Sequence, residues 1–217
     1  MFDITEAIGA LRLVPVIVIN EEESAYPLAQ ALKAGGLPCA EVTFRTAAAE
    51  RSIRAMASDP EILLGAGTVL RPEQVDRALE AGARYIVTPG FSAEVVRACQ
   101  ANAVPVFPGV ATATELQMAL EAGVEVVKVF PAEASGGLTL LKALASPFSM
   151  MRFIPTGGIS VSQLADYLAF PPVLAVGGSW IAPSKLIAGQ HFDEITKLAS
   201  QAVAICHAAP TSAKGER

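Results

Sequence analysis

The sequence predicts a single-domain α/β fold, a (β/α)8 barrel of the TIM type with a short extra helix at its N-terminus. Three observations predict it. Short β-branched runs alternate with helical stretches along all 217 residues. Eight such runs can be counted, which suits a closed parallel barrel better than an open sheet. The phrases ALKAGG, ALEAGA and ALEAGV each precede a strand candidate, so one helix-then-strand unit recurs.

The elements follow in order. Residues 3–10 read as a helix plugging the bottom of the barrel, and 13–19 as the first strand. A helix over 24–34 follows three glutamates, whose charge suits a helix N-terminus. Strands are expected at 38–44, 63–68 and 85–89, with a helix over 72–81 that opens on Pro72. Helices over 92–101, 112–122 and 160–169 begin at Ser92, Thr112 and Ser160, which are plausible N-caps. The remaining strands fall at 104–107, 124–130, 152–156 and 173–176, and a last helix spans 192–208. Several strands are apolar on both faces, as burial on both sides requires. Gly35, Gly82 and Gly123 read as left-handed residues just past helix ends. The barrel is expected to occupy 1–209, with the polar 210–217 fraying.

Composition excludes several classes of function. Apolar residues make up 52% and charged ones 17%, enough for a large core and too apolar for disorder. A net charge of −5 without a basic stripe excludes nucleic acid as a partner. Cys39, Cys99 and Cys206 are far apart and lack Cys-x-x-Cys spacing, so they read as reduced thiols of a cytoplasmic protein. The N-terminal apolar run lacks a preceding basic region and is broken by Pro15, which disfavours a signal peptide. No apolar stretch approaches the roughly 18 residues that span a membrane. His191 and His207 stand away from any strand end, so no metal is expected. No dinucleotide or Walker loop is present, and no cofactor is expected.

Chemistry concentrates at a few positions. In VEVVKVFP, side-chain alternation puts Val126, Lys128 and Phe130 on one face and Val127 and Val129 on the other. The first face would look into the barrel, where an ammonium is costly unless paired or neutralised. A snorkelling lysine or a buried ion pair is the structural alternative. Lys128 sits late in its strand, however, near the mouth where barrel active sites form. A desolvated neutral amine there attacks carbonyls. In CAEVTFRT, Glu41, Thr43 and Arg45 share a face. Glu41 suits a base or a partner for Arg45 or Lys128, and the Arg45 fork suits a carboxylate. Two glycine turns, Gly157-Gly158 and Gly177-Gly178-Ser179, each follow a strand candidate. In barrels, the loops after strands 7 and 8 commonly hold phosphate. Phe91, Trp180 and Met150–Met151 read as packing.

Taken together, EVTFRT (41–46), GAGTVL (65–70), TPGF (88–91), PGVAT (108–112), KVFPAE (128–133), PTGGI (155–159) and VGGSW (176–180) make the chain resemble one family. It is that of the 2-keto-3-deoxy-6-phosphogluconate (KDPG) and 4-hydroxy-2-oxoglutarate (KHG) aldolases, and the likeness runs from about Leu11 to Ala204. The resemblance implies a cytoplasmic homotrimer of barrels acting on a phosphorylated keto acid, in the Entner–Doudoroff breakdown of sugar acids. It implies Lys128 as the Schiff-base lysine and Glu41 as the acid/base. Arg45, Thr68, Pro89, Phe130 and Thr156 would bind pyruvate, and Gly157, Gly158, Gly177, Gly178 and Ser179 the phosphate. Products would be pyruvate and glyceraldehyde 3-phosphate, or pyruvate and glyoxylate from the unphosphorylated acid. A non-catalytic phospho-sugar sensor would keep the pocket without turnover. Val129 and Thr88 depart from the family's usual Phe and Ser, while Gly90 fits the phosphogluconate form.

Overall fold

The computed structural model describes residues 3–210; the segment 211–217, expected to fray, lies outside the described residues. The strands are β1 (Leu13–Ile17), β2 (Cys39–Thr43), β3 (Leu63–Gly67) and β4 (Tyr85–Val87). Then follow β5, in two segments (Val106–Phe107 and Gly109–Val110), β6 (Val126–Val129), β7 (Arg152–Pro155) and β8 (Val176–Gly178). Every pairing is parallel.

The strands form a ring. β1 pairs with β2 through Val16 and Glu41, and with β8 through Val14 and Gly177. β4 pairs with the first segment of β5, and the second segment pairs with β6. Between those segments Pro108 has no N–H to donate, so the ladder breaks there. Its carbonyl still accepts from the Lys128 amide at 2.9 Å. Bridges between Thr156 and Gly177 and between Phe153 and Val173 join β7 to the β8 side and close the cylinder.

Around the ring lie α1 (Ile4–Leu11), α2 (Ala25–Ala34), α3 (Ala49–Met56), α4 (Pro72–Ala81) and α5 (Ala93–Ala101). They continue with α6 (Ala113–Glu121), α7 (Gly137–Ala145), α8 (Leu164–Leu168), α9 (Ser184–Ala188) and α10 (Phe192–Ala208). The expected caps form: Thr112 with Glu115, Ser160 with Gln163, and Ser92 on the Val95 amide. The Asp3 carboxylate caps α1, whose fully buried Ile8 lines the barrel interior, so this helix is the bottom plug. Arg12 ends α1 at φ 60°. Its guanidinium donates to the carbonyls of Cys206, Ala209 and Pro210 at 2.8 Å and of Leu168 at 2.9 Å. One cation thus caps the C-termini of both α8 and α10, where the helix dipoles favour it.

Three sequence expectations need correction. Gly35 has φ −77°; the left-handed residue is Gly36, at 79°. Gly35 is instead a contact point, since a Cβ there would lie 2.5 Å from Ala199 Cβ of α10. The eighth strand is Val176–Gly178, not 173–176, so Gly177 and Gly178 belong to the strand rather than to a turn after it. A ladder needs backbone groups only, and side-chain preferences hide a strand made of glycines. The helix expected over 160–169 is a short 3-10 turn, Val161–Gln163, followed by the five-residue α8.

Candidate active site

Side-chain alternation along β3 turns Gly65 and Gly67 inward, and both vacate space that a neighbour fills. The Tyr85 ring lies over Gly65, where a Cβ would be 2.1 Å from it. The Tyr85 hydroxyl donates to the Ala40 carbonyl at 3.1 Å. Burial, then the neighbouring Cys39 and Glu41, hold that hydroxyl well above its ordinary range, so it remains a donor. Tyr85 also meets Phe107, with ring centroids 5.8 Å apart. With Ile8, Val14, Val87 and Ile154 these rings wall a narrow apolar chamber, with room for about one water, that also touches Glu41 and Lys128.

The Glu41 carboxylate lies over Gly67: a Cβ there would be 2.2 Å from Glu41 Oε1. From this seat Oε1 accepts from Lys128 Nζ at 3.0 Å. The two residues are 3% and 5% exposed, so the pair is inside the barrel. Breaking a buried pair by removing one partner leaves an uncompensated charge, at a cost of about 3–5 kcal/mol. The carboxylate therefore prefers Lys128 to Arg45, whose side chain is exposed. The Phe130 ring lies 5.4 Å from Lys128 Nζ and is half open to solvent, at 36% exposure. A carboxylate within hydrogen-bond reach of an amine can exchange protons with it and with anything bound beside it.

The other expected residues sit at the C-terminal ends of the strands, around the same rim. Arg45 follows β2, Thr68 follows β3, Pro89 follows β4, Phe130 follows β6 and Thr156 follows β7. Thr68 has φ 55°, a left-handed backbone that strains a β-branched residue by about 1–3 kcal/mol. The Pro89 carbonyl lies 2.2 Å from where a Gly109 Cβ would stand, and Gly109 is the β5 residue opposite Lys128. Buried Thr88 ties this corner down: it donates to Gly90 O at 2.6 Å and accepts from the Gly109 amide at 3.3 Å. Thr156 is 5% exposed and sits against Gly177, where a Cβ would be 2.1 Å from its Oγ1. Gly157 and Gly158 are left-handed, at φ 102° and 82°, and Ser179 beyond β8 is exposed.

Sequence reasoning did not single out Gly67, Tyr85 or Ile8, which seat the pair and line its chamber. The LLGAG run does hold a signal: in a strand, alternate glycines facing inward mark room left for something large opposite. Thr43, placed correctly on the Glu41 face, is buried and donates to Ile17 O at 2.8 Å, which joins β2 to β1. Trp180 is half-buried, and its Nε1 is enclosed beside Gly178 without a hydrogen-bond partner among the described residues.

Known proteins resemble this chain over nearly all of its length. The family described as KDPG and KHG aldolase matches residues 4–198. A 2-dehydro-3-deoxy-phosphogluconate aldolase of Treponema pallidum is 48% identical over 206 residues, covering 94% of this chain and 98% of that protein. A KHG/KDPG aldolase of Escherichia coli is 46% identical over 192 residues, covering 88% of this chain and 90% of that protein. The solved KDPG aldolase of Legionella pneumophila, with pyruvate captured at low pH as a covalent carbinolamine, superposes with a TM-score of 0.87 at 42% identity. That match covers 90% of this chain and 96% of the other.

Proposed function

The chain belongs to the KDPG and KHG aldolase family, and from that premise we propose that it cleaves 2-dehydro-3-deoxy-6-phosphogluconate to pyruvate and glyceraldehyde 3-phosphate through an imine on Lys128. The observation that carries the proposal is the buried Lys128 Nζ–Glu41 Oε1 contact of 3.0 Å inside the barrel. An aldolase of this kind needs an amine as nucleophile and a base that can follow its protons. Lys128 and Glu41 supply both on neighbouring atoms.

Glu41 accepts a proton from the lysine, and the free amine attacks the C2 ketone. The resulting carbinolamine loses its hydroxyl as water, with Glu41 returning the proton. The protonated imine draws electrons from C3. Glu41 then takes the proton of the C4 hydroxyl, the C3–C4 bond breaks, and glyceraldehyde 3-phosphate departs. The enamine left on Lys128 is protonated at C3, and water releases pyruvate. In this reading Arg45 and the Thr68 and Thr156 hydroxyls hold the keto-acid carboxylate. Pro89 and Phe130 flank the pyruvyl methyl end. Gly157, Gly158, Gly177, Gly178 and Ser179 take the distant phosphate, whose binding orients the scissile bond.

Pyruvate with borohydride should add one reduced pyruvyl group to the protein, on Lys128; labelling elsewhere, or none, defeats the imine. Glu41→Gln should slow turnover by about 10²–10⁴. A second reading, cleavage of 4-hydroxy-2-oxoglutarate, is favoured by the double name of the Escherichia coli relative. Comparing kcat/KM on the two acids decides between them. The reading includes a cytoplasmic homotrimer, as the resemblance implies, and sedimentation equilibrium tests the assembly.

A further inference from the structure

Glu133 ends the KVFPAE segment that starts at Lys128, in the loop between β6 and α7. Its carboxylate is engaged on both oxygens. One accepts from the Tyr167 hydroxyl, and the other from Gln163 Nε2 at 2.8 Å. Tyr167 is 2% exposed, and burial followed by the Glu133 bond keeps its hydroxyl protonated above the ordinary range. Gln163 spends its own oxygen on Ser160, accepting from the amide at 2.9 Å and from Oγ at 2.8 Å. Ser160 directly follows the turn that contains Gly157 and Gly158.

The same residue holds the other side of that turn. The Glu133 amide donates to Gly157 O at 3.0 Å, and the Ala132 amide to Thr156 O at 2.8 Å. The Glu133 stem also presses on Gly158, where a Cβ would lie 2.8 Å from Glu133 Cβ. Among the described residues, the Gly158 and Ile159 amides donate to no backbone carbonyl. The turn is therefore held before its glycines by the Ala132 amide, at them by Glu133 and after them by Gln163, which Glu133 fixes, while amides in it are left for a ligand. The grip comes from the segment that carries Lys128 and Phe130, so the amine and the turn are fixed to one piece of chain.

We propose that Glu133 is a positioning residue: it holds the Gly157–Gly158 turn in the shape that receives the substrate's phosphate, and so sets the preference for phosphorylated over unphosphorylated keto acids. The proposal rests on the reading of that turn given above. The carboxylate accepts from both partners, one on each oxygen; a glutamine has one acceptor oxygen, and its amide group would have to donate to the Tyr167 hydroxyl instead.

The test uses the full chain as wild type, Glu133→Ala, Glu133→Gln and Tyr167→Phe. Binding of inorganic phosphate is measured by calorimetry, and steady-state kinetics are run on phosphorylated and unphosphorylated 4-hydroxy-2-oxo acids. Glu133→Ala should weaken phosphate binding, and raise KM for the phosphorylated acid, by about tenfold, the effect of one misplaced hydrogen bond. Its kcat/KM on the unphosphorylated acid should change by less than about twofold, because that substrate makes no use of the turn. Glu133→Gln should fall between. Equal losses on both acids, or unchanged phosphate binding, overturn the proposal. Should Glu133→Ala fail to fold, Tyr167→Phe, which removes one bond to Glu133, and Gln163→Leu, which removes the other with its two bonds to Ser160, must show the same split. A wild type that binds phosphate but is not labelled by pyruvate and borohydride sinks the imine and leaves this proposal standing. A wild type without a phosphate site overturns it.

Discussion

Replacing Gly67 with alanine adds one methyl group at a point 2.2 Å from Glu41 Oε1, 2.7 Å from its Cγ and 2.8 Å from its Cδ. All three atoms are in contact at once, so rotating the carboxylate does not clear the clash. Ordinary contact requires a retreat of about 1.2 Å, which carries the oxygen out of its 3.0 Å bond to Lys128. A displacement of about 1 Å in a reacting group costs on the order of 10² in rate. General acid/base work as a whole is worth about 10²–10⁴. Gly67→Ala should therefore lower kcat/KM by about 10²–10³ and slow borohydride trapping of pyruvate in parallel. Overpacking should also remove about 1–3 kcal/mol of stability. Gly65→Ala on the same strand separates the two effects, because its methyl meets the Tyr85 ring at 2.1 Å rather than the carboxylate. It should lose comparable stability and retain more than about a tenth of the rate. A Gly67→Ala enzyme with wild-type kcat/KM would refute the idea that the seat of Glu41 governs the chemistry.

Arg12→Ala removes a cation bound to four carbonyls at the ends of α8 and α10. It should cost about 2–4 kcal/mol in urea unfolding, with turnover per folded molecule unchanged; a cost below about 0.5 kcal/mol would mean the clamp is idle. Burial pushes the thiols up, Cys206 to about 11, Cys99 to about 12 and Cys39 further still. At pH 8 none should react with a thiol reagent until the protein is unfolded, and Cys206 should react first as pH rises. The sign follows from protons bound: above about 8.5 the unfolded thiols ionise while the folded ones do not. Stability is then intact below that pH and falls above it, by about 1.4 kcal/mol per pH unit for each such thiol. An unfolding free energy that stays flat from about pH 8.5 to 10 would contradict this.

The barrel was legible because its strands are apolar on both faces and are separated by capped helices; Thr112 with Glu115 and Ser160 with Gln163 are signals readable within four residues. The buried Lys128–Glu41 pair was legible for the same reason. Two-residue alternation alone turns Lys128 and Glu41 inward, and a charge in so apolar a strand stands out. What stayed hidden depends on neighbours distant in sequence. Gly67 looks like any small residue until Glu41 lies over it, and Gly35 looks like a helix stop until α10 packs on it. Helix α3 begins behind Ala48 without a side-chain cap, and α7 begins behind left-handed Gly136, so neither announces its start. β8 carries two glycines and is defined only by its partners β1 and Thr156. Glu133 lies within the KVFPAE motif, but only the folded chain brings it to Gln163 and Tyr167.

Arg12 has a practical corollary. Through its contact with Pro210 O, it ties the finish of the described chain to the C-terminal end of α1, the helix that stoppers the cylinder. The rim with Arg45, Thr68 and Thr156 is at the opposite pole. A linker, affinity tag or solid support attached after Pro210 would hang from the closed pole, and substrate could still approach a tethered molecule from the open one.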